Sequence, residues 1–142
     1  MTRTHRSQSG QAVVLALGLT MAVLAVAGLA VDGTRAFLLR RTLQNAADGA
    51  ALAASGELDR AAFYRSGGRE VSLDPAAARA EAVALLAERS IRADVAIETA
   101  GDGVDIILRA DSATTFLRLV GIDAVPVAAS ARAVPVGGPP GS

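Results

Sequence analysis

AVVLALGLTMAVLAVAGLAV, residues 12–31, runs without a charged side chain directly into DGTRAFLLRRTLQNAADGAALAA, residues 32–54, and no proline interrupts either. How this stretch reads decides the fold. Twenty residues at about 1.5 Å rise each cover about 30 Å, the hydrocarbon thickness of a bilayer. A core helix of a soluble domain keeps a polar face, and residues 12–31 offer only Thr20. Hydropathy therefore predicts a membrane-spanning helix over 11–31.

The next segment continues the helix but changes character. At 100° per residue, Leu39, Leu43, Ala46, Ala50 and Ala53 fall within about 40° of one line. Arg41, Gln44, Asn45 and Asp48 fall on the opposite side. An alanine face of this kind lets a sheet or another helix approach closely. Gly33 and Gly49 each weaken the helix by about 1 kcal/mol relative to alanine, so a bend is expected near one of them. Ser55-Gly56 is the expected stop, with an extension over Glu57 to Tyr64 after a kink as the alternative.

Two features of the anchor bear on processing and topology. Gly28-Leu29-Ala30 has the small residues a signal-peptidase site needs, after a leader containing Arg3 and Arg6. The apolar run exceeds the usual signal-peptide core of about 7–15 residues, which favours an uncleaved anchor. Arg3, His5 and Arg6 before the helix are balanced by Arg35, Arg40 and Arg41 after it, so local charge does not orient it. Gly18, Ala22 and Ala25 recur on one side and would admit a partner helix.

The run Gly28-Leu29-Ala30-Val31-Asp32-Gly33, then Arg35, then LLRRTLQNAADGAALAA at 38–54, resembles the Tad signature. That signature opens the TadE/TadG-like proteins of Flp (tight-adherence) pilus assembly. It joins a membrane helix ending in Asp to an arginine-rich turn and an LQNAADAAALA-type helix. The later Phe116-Leu117-Arg118-Leu119-Val120-Gly121-Ile122, followed by a valine- and alanine-rich strand, also resembles the end of many such proteins. The resemblance implies an anchor with its N-terminus inside and its domain outside the cytoplasmic membrane. It departs from the pilin-like TadE pattern at Leu15, five residues past Gly10, where glutamate is expected. That departure tells against processing at Gly10 and against polymerisation as a true pilin.

The expected organisation is a cytoplasmic basic leader at 1–10, a transmembrane helix at 11–31 and an amphipathic Tad-like helix at 32–56. A small extracytoplasmic α/β domain follows at 57–134, with a disordered tail at 135–142. Within the domain, 57–73 reads as a polar loop, and Asp74-Pro75 as an acidic N-cap with proline at the first helical position. The helix runs from Ala76 to Arg89, burying Ala82, Val83, Leu85 and Leu86. From Ile91 the period becomes two: Ile91, Ala93, Val95 and Ile97, then Val104, Ile106, Leu108 and Ala110, form a hairpin about a turn at 99–103. Asp111 or Ser112 is expected to cap a short helix over 113–120, stopped by Gly121. Val125, Val127, Ala129, Ala131 and Ala133 make a third strand, with Pro126 marking an edge or strand start. The fold class is therefore α+β and pilin-like: a long helix, then α-β-β-α-β with a short antiparallel sheet leaning on the alanine face. If the last connection crosses over the first strand, the order is 2-1-3.

Composition narrows the chemistry. All 14 basic residues are arginine and there is no cysteine, so lysine chemistry, disulfides and thiolate sites are excluded. Basic and acidic residues balance at 14 each, without the positive excess a nucleic-acid surface needs. His5 is the sole histidine, so no Ser-His-Asp set or histidine metal site can be built. Asp102 and Asp105 flank the hairpin turn, but the other ligands of a calcium loop are missing. Gly101 and Gly103 lack the GK[ST] continuation of a phosphate loop. Asp32, at the end of the membrane run, is costly facing lipid. It has three outlets: an arginine of a partner, the interface, or Arg35.

The expected function is a non-enzymatic structural or accessory subunit of a tight-adherence (Flp) type pilus or related secretion assembly, acting through helix packing. The alternative is a membrane-anchored extracytoplasmic binding or regulatory module without a pilus role. Expected partners are the membrane and other assembly subunits, with no nucleic acid, small-molecule substrate or cofactor. Gly18, Ala22, Ala25, Asp32, Arg41, Gln44, Asn45, Asp48 and Ala50 are the candidate packing residues.

Overall fold

The computed structural model describes residues 8–100 and 103–135. The leader residues Arg3, His5 and Arg6, the turn residues Gly101 and Asp102, and the tail beyond Pro135 lie outside the described residues. Helix α1, Gln8–Ala54, is unbroken for 47 residues, or about 70 Å. It passes through both Gly33 and Gly49. Thr20, Thr34 and Thr42 donate their hydroxyls to the carbonyls of Ala16, Ala30 and Leu38, four residues back. The polar atom inside the apolar run is thus satisfied within the helix itself.

The two halves of α1 have opposite fates. Residues 10–26 are exposed throughout, including Val13, Leu17, Leu19 and Val26 at 64–68%. That half is long and apolar enough to cross a membrane. In the second half Leu43, Ala46, Ala47, Ala50, Ala51 and Ala54 are buried. They pack with Leu86 and with Ile97, Val104, Ile106, Leu108 and Val127 of the sheet in one core. The expected line is recognisable but rotated toward Ala47, Ala51 and Ala54, leaving Ala53 only half-buried. The cause is that α1 is wedged: Gln44 meets the Ser130 carbonyl on one flank, and Arg89 reaches the Asn45 carbonyl on the other.

After α1 the chain makes an excursion closed by a bridge between Leu58 and Leu73. The stretch read as a loop contains a short helix, α2, Arg60–Arg65. Asp59 caps it by accepting the Ala62 N–H at 2.9 Å. Helix α3, Pro75–Glu88, starts as expected, with the Asp74 carboxylate accepting from Ala76 and Ala77 at 3.0 and 3.1 Å. It buries Ala78, Ala82 and Leu86, whereas Val83 is 49% exposed, because only the turn-by-turn stripe faces α1.

Strands β1 (Asp94–Ala100), β2 (Gly103–Ala113) and β3 (Ala124–Ala133) form one antiparallel sheet. β1 begins at Asp94 rather than Ile91, and Val95 is exposed while Ile97 is buried opposite Ile106. The order is β1-β2-β3, not the crossed 2-1-3. β2 is 11 residues long and pairs along both edges, so β3 returns beside it after a short local connection. Pro126, opposite Asp111 on the outer strand, lacks only an N–H, and an edge position tolerates that. The short helix expected at 113–120 is a single 3-10 turn, Leu117–Val120, because β2 continues to Ala113. Gly121, at φ 87°, ends it as the sequence suggested.

Candidate functional site

The feature that ties the two halves of the molecule together is Asp32. On the helical wheel it falls within about 20° of the alanine-face line, and so does Gly28 one turn earlier. Both positions are buried, Asp32 at 2% exposure, at the end of a segment that is otherwise bare. The packing stripe thus begins inside the apolar run, below the point where amphipathicity becomes visible.

What covers them is the connection between β2 and β3. The Asp32 carboxylate accepts three successive backbone N–H groups: Thr115 at 2.9 Å on Oδ1, and Phe116 and Leu117 at 2.8 Å each on Oδ2. These are the free donors at the start of the 3-10 turn. An acidic side chain at such an end normally belongs to the cap residue, but here it arrives from 83 residues away. Arg35, one turn further on, donates to the Thr115 hydroxyl. The connection is closed on itself by Thr114 N–H to the Asp123 carbonyl at 3.0 Å and by the Thr114 hydroxyl to the Ile122 carbonyl. Arg118 and Asp123 lie 3.6 Å apart, but both are largely exposed, so that pair adds little.

Gly28 permits the approach. A Cβ built there would lie 2.6 Å from both Cβ and Cγ of Phe116. The chain therefore descends along α1, from Arg35 to Asp32 at Thr115 and on to Gly28 at Phe116. Burial pushes the Asp32 carboxyl up in pKa. The backbone donors of Leu117, Thr115 and Phe116 and the nearby Arg35 charge together outweigh it, leaving the carboxyl below its ordinary value. The arrangement is a structural lock: a charged cap holding a turn at a defined height on a helix.

The other candidates divide by exposure. Gly18, Ala22 and Ala25 lie on the bare half of α1, and Gly18 has open space where a Cβ would be. Arg41, Asn45 and Asp48 are exposed on the second half. Gln44 is half-buried and donates to Asp48 and to the Ser130 carbonyl of β3, each at 2.9 Å. Ala50 is fully buried within the chain's own core. Sequence reasoning did not find Gly28 and Phe116 as a contact. Carrying the helical line of Leu39 and Leu43 two turns backward would have placed Asp32 on the packing face, and a third turn Gly28, though not their partner.

Fold and site together define a helix-tethered α+β protein, with a bare apolar segment continuing as the spine of a small three-stranded domain. Residues 10–69 match the family model Tad, described as "Putative Flp pilus-assembly TadE/G-like". The TadE/TadG-like resemblance is shown over that stretch, which covers nearly all of α1, including Gly28 and Asp32, and the whole of α2. No curated protein and no solved structure matches the chain.

Proposed function

We propose that the protein is a non-enzymatic structural or accessory subunit of a tight-adherence (Flp) type pilus or a related secretion assembly. Residues 11–31 anchor it in the cytoplasmic membrane, with the N-terminus inside and the domain outside. The observation that carries this reading is that the Tad match coincides with the exposed helix and its continuation into the domain's spine. Work is done by packing. The small-residue side at Gly18, Ala22 and Ala25 faces neighbouring helices in the bilayer, where close backbone approach stabilises association. Arg41, Asn45 and Asp48 offer polar contacts just beyond the membrane. Asp32, Gln44 and Ala50 contribute by holding the domain in the posture in which those surfaces are presented.

Photo-crosslinking in native membranes tests it, with probes at Ala22 and Asn45 and a control at Val83 on exposed α3. The expected result is adducts from the first two positions to the pilin, secretion ATPase platform or other subunits of the assembly, and none from Val83. Absence of those adducts, together with normal piliation after deletion of the gene, overturns the proposal in favour of a tethered module without a pilus role.

A further inference from the structure

Resting on the membrane-spanning reading of residues 11–31, we infer that the β2–β3 connection is a second membrane contact, an apolar tip inserted into the lipid interface beside the anchor. Phe116, Leu119, Val120 and Ile122 fall within seven consecutive positions and are 44%, 84%, 74% and 45% exposed. Elsewhere in the domain, exposed large apolar side chains come in smaller groups, Phe63 with Tyr64 and Val83 with Val95 along one groove, and none of these lies beside the anchor.

The height of this tip is set by the contacts that lock it. Phe116 packs on Gly28 and the preceding amide is held by Asp32, so the turn sits at the last turn of the apolar run. If residues 12–31 lie in hydrocarbon, Phe116 is about 6 Å below the Asp32 level, which is the depth at which interfacial apolar groups bury. The occupant is therefore lipid at the headgroup–acyl boundary, and the cover is continuous with the anchor's own.

The backbone is prepared for such a place. Thr115, Phe116 and Leu117 donate to Asp32, and Leu119, Gly121 and Ile122 donate to Phe116, Arg118 and Leu117 carbonyls at 3.0–3.1 Å. A turn without such pairing would be costly near hydrocarbon. Arg118, largely exposed, has the reach to keep its guanidinium at phosphate level while the neighbouring Leu119 goes down. Two contacts, one spanning and one interfacial, would fix the tilt of the domain on the membrane, where a single helix leaves it free to rotate.

The chain has no tryptophan, so each single replacement gives a protein with one indole. Full-length Leu119→Trp, Val120→Trp, Leu19→Trp and Tyr64→Trp would be reconstituted separately in phosphatidylcholine vesicles, with bromine placed either high or low on the acyl chains. All four side chains are well exposed, so folding should survive. The expected result is blue-shifted emission from positions 119 and 120, quenched most by bromines near the headgroups. Position 19 should be quenched by deep bromines and position 64 by neither. Quenching at 19 with unquenched, red emission at 119 and 120 overturns the inference but leaves the anchor intact. Blue-shifted emission at 119 without bromine quenching means a protein surface covers the tip, which also overturns it. No quenching at 19 refutes the membrane-spanning reading itself.

Discussion

Replacing Gly28 by alanine adds one methyl group, and two opposing effects can be weighed for it. In a helix interior alanine is favoured over glycine by about 1 kcal/mol. In this position the new Cβ would stand 2.6 Å from Cβ and Cγ of Phe116. Carbon atoms pack at about 3.5–4.0 Å, so the turn must retreat by about 1 Å. The Phe116 amide lies 2.8 Å from Asp32, and the same retreat would draw it toward about 3.8 Å, beyond hydrogen-bond length. Overpacking of this kind costs about 1–3 kcal/mol, leaving a net loss of up to about 2 kcal/mol once the helical gain is subtracted. Chemical unfolding in detergent micelles reads this directly, and the partner substitution makes it diagnostic. Phe116→Gly removes the three atoms nearest the new methyl group, so Gly28→Ala in that background should stabilise by about 1 kcal/mol. Phe116→Ala keeps the offending Cβ and should rescue only in part. If Gly28→Ala stabilises equally in all three backgrounds, the close approach and the lock built on it are refuted.

Ala50→Leu places three further carbons where the spine meets the domain core, and should lower stability by about 1–3 kcal/mol in the same unfolding measurement. Asp74→Ala leaves the Ala76 and Ala77 amides without their cap and should cost about 0.5–2 kcal/mol, with the loss of helicity by circular dichroism confined to α3. For pH, the Asp32 carboxyl is held below its ordinary value in the folded state, so the unfolded chain takes up its proton first as pH falls. Its stabilisation is complete above the ordinary carboxylate range and is lost as pH drops through the lower folded value. Unfolding midpoints in micelles should therefore decline more steeply with acid for the native chain than for Asp32→Asn. Equal slopes would show that Asp32 contributes nothing through its charge.

Much of this was legible in the chain itself because it rests on local periodicity. The apolar run, the alanine face, the Asp74-Pro75 start and the two-residue alternation of β2 and β3 each leave a signature within a dozen residues. Three features left little or no trace. Helix α2 is too short to show a period and depends on one cap at Asp59. The strand order depends on β2 being long enough to pair on both edges, which is a property of the assembled sheet. The Asp32 lock joins residues 83 apart, and neither partner is unusual alone: an acid at a membrane boundary, and a turn ending in Gly121. The sequence offers that acid an arginine of a partner, the interface or Arg35, and the structure gives it three backbone amides as well as the nearby Arg35. That the partner is a row of backbone amides in the same chain follows only from how far the stripe on α1 extends toward the membrane.

Asp32 fastens the domain to its helix at this level. Amide hydrogen exchange of the full-length chain in lipid nanodiscs, native against Asp32→Ala, tests it most directly. Slow exchange is expected at Thr115, Phe116 and Leu117 in the native chain. In Asp32→Ala those three amides should become fast while Ile106 and Leu108 in the middle of β2 stay protected. Three amides that exchange equally in both proteins would contradict it.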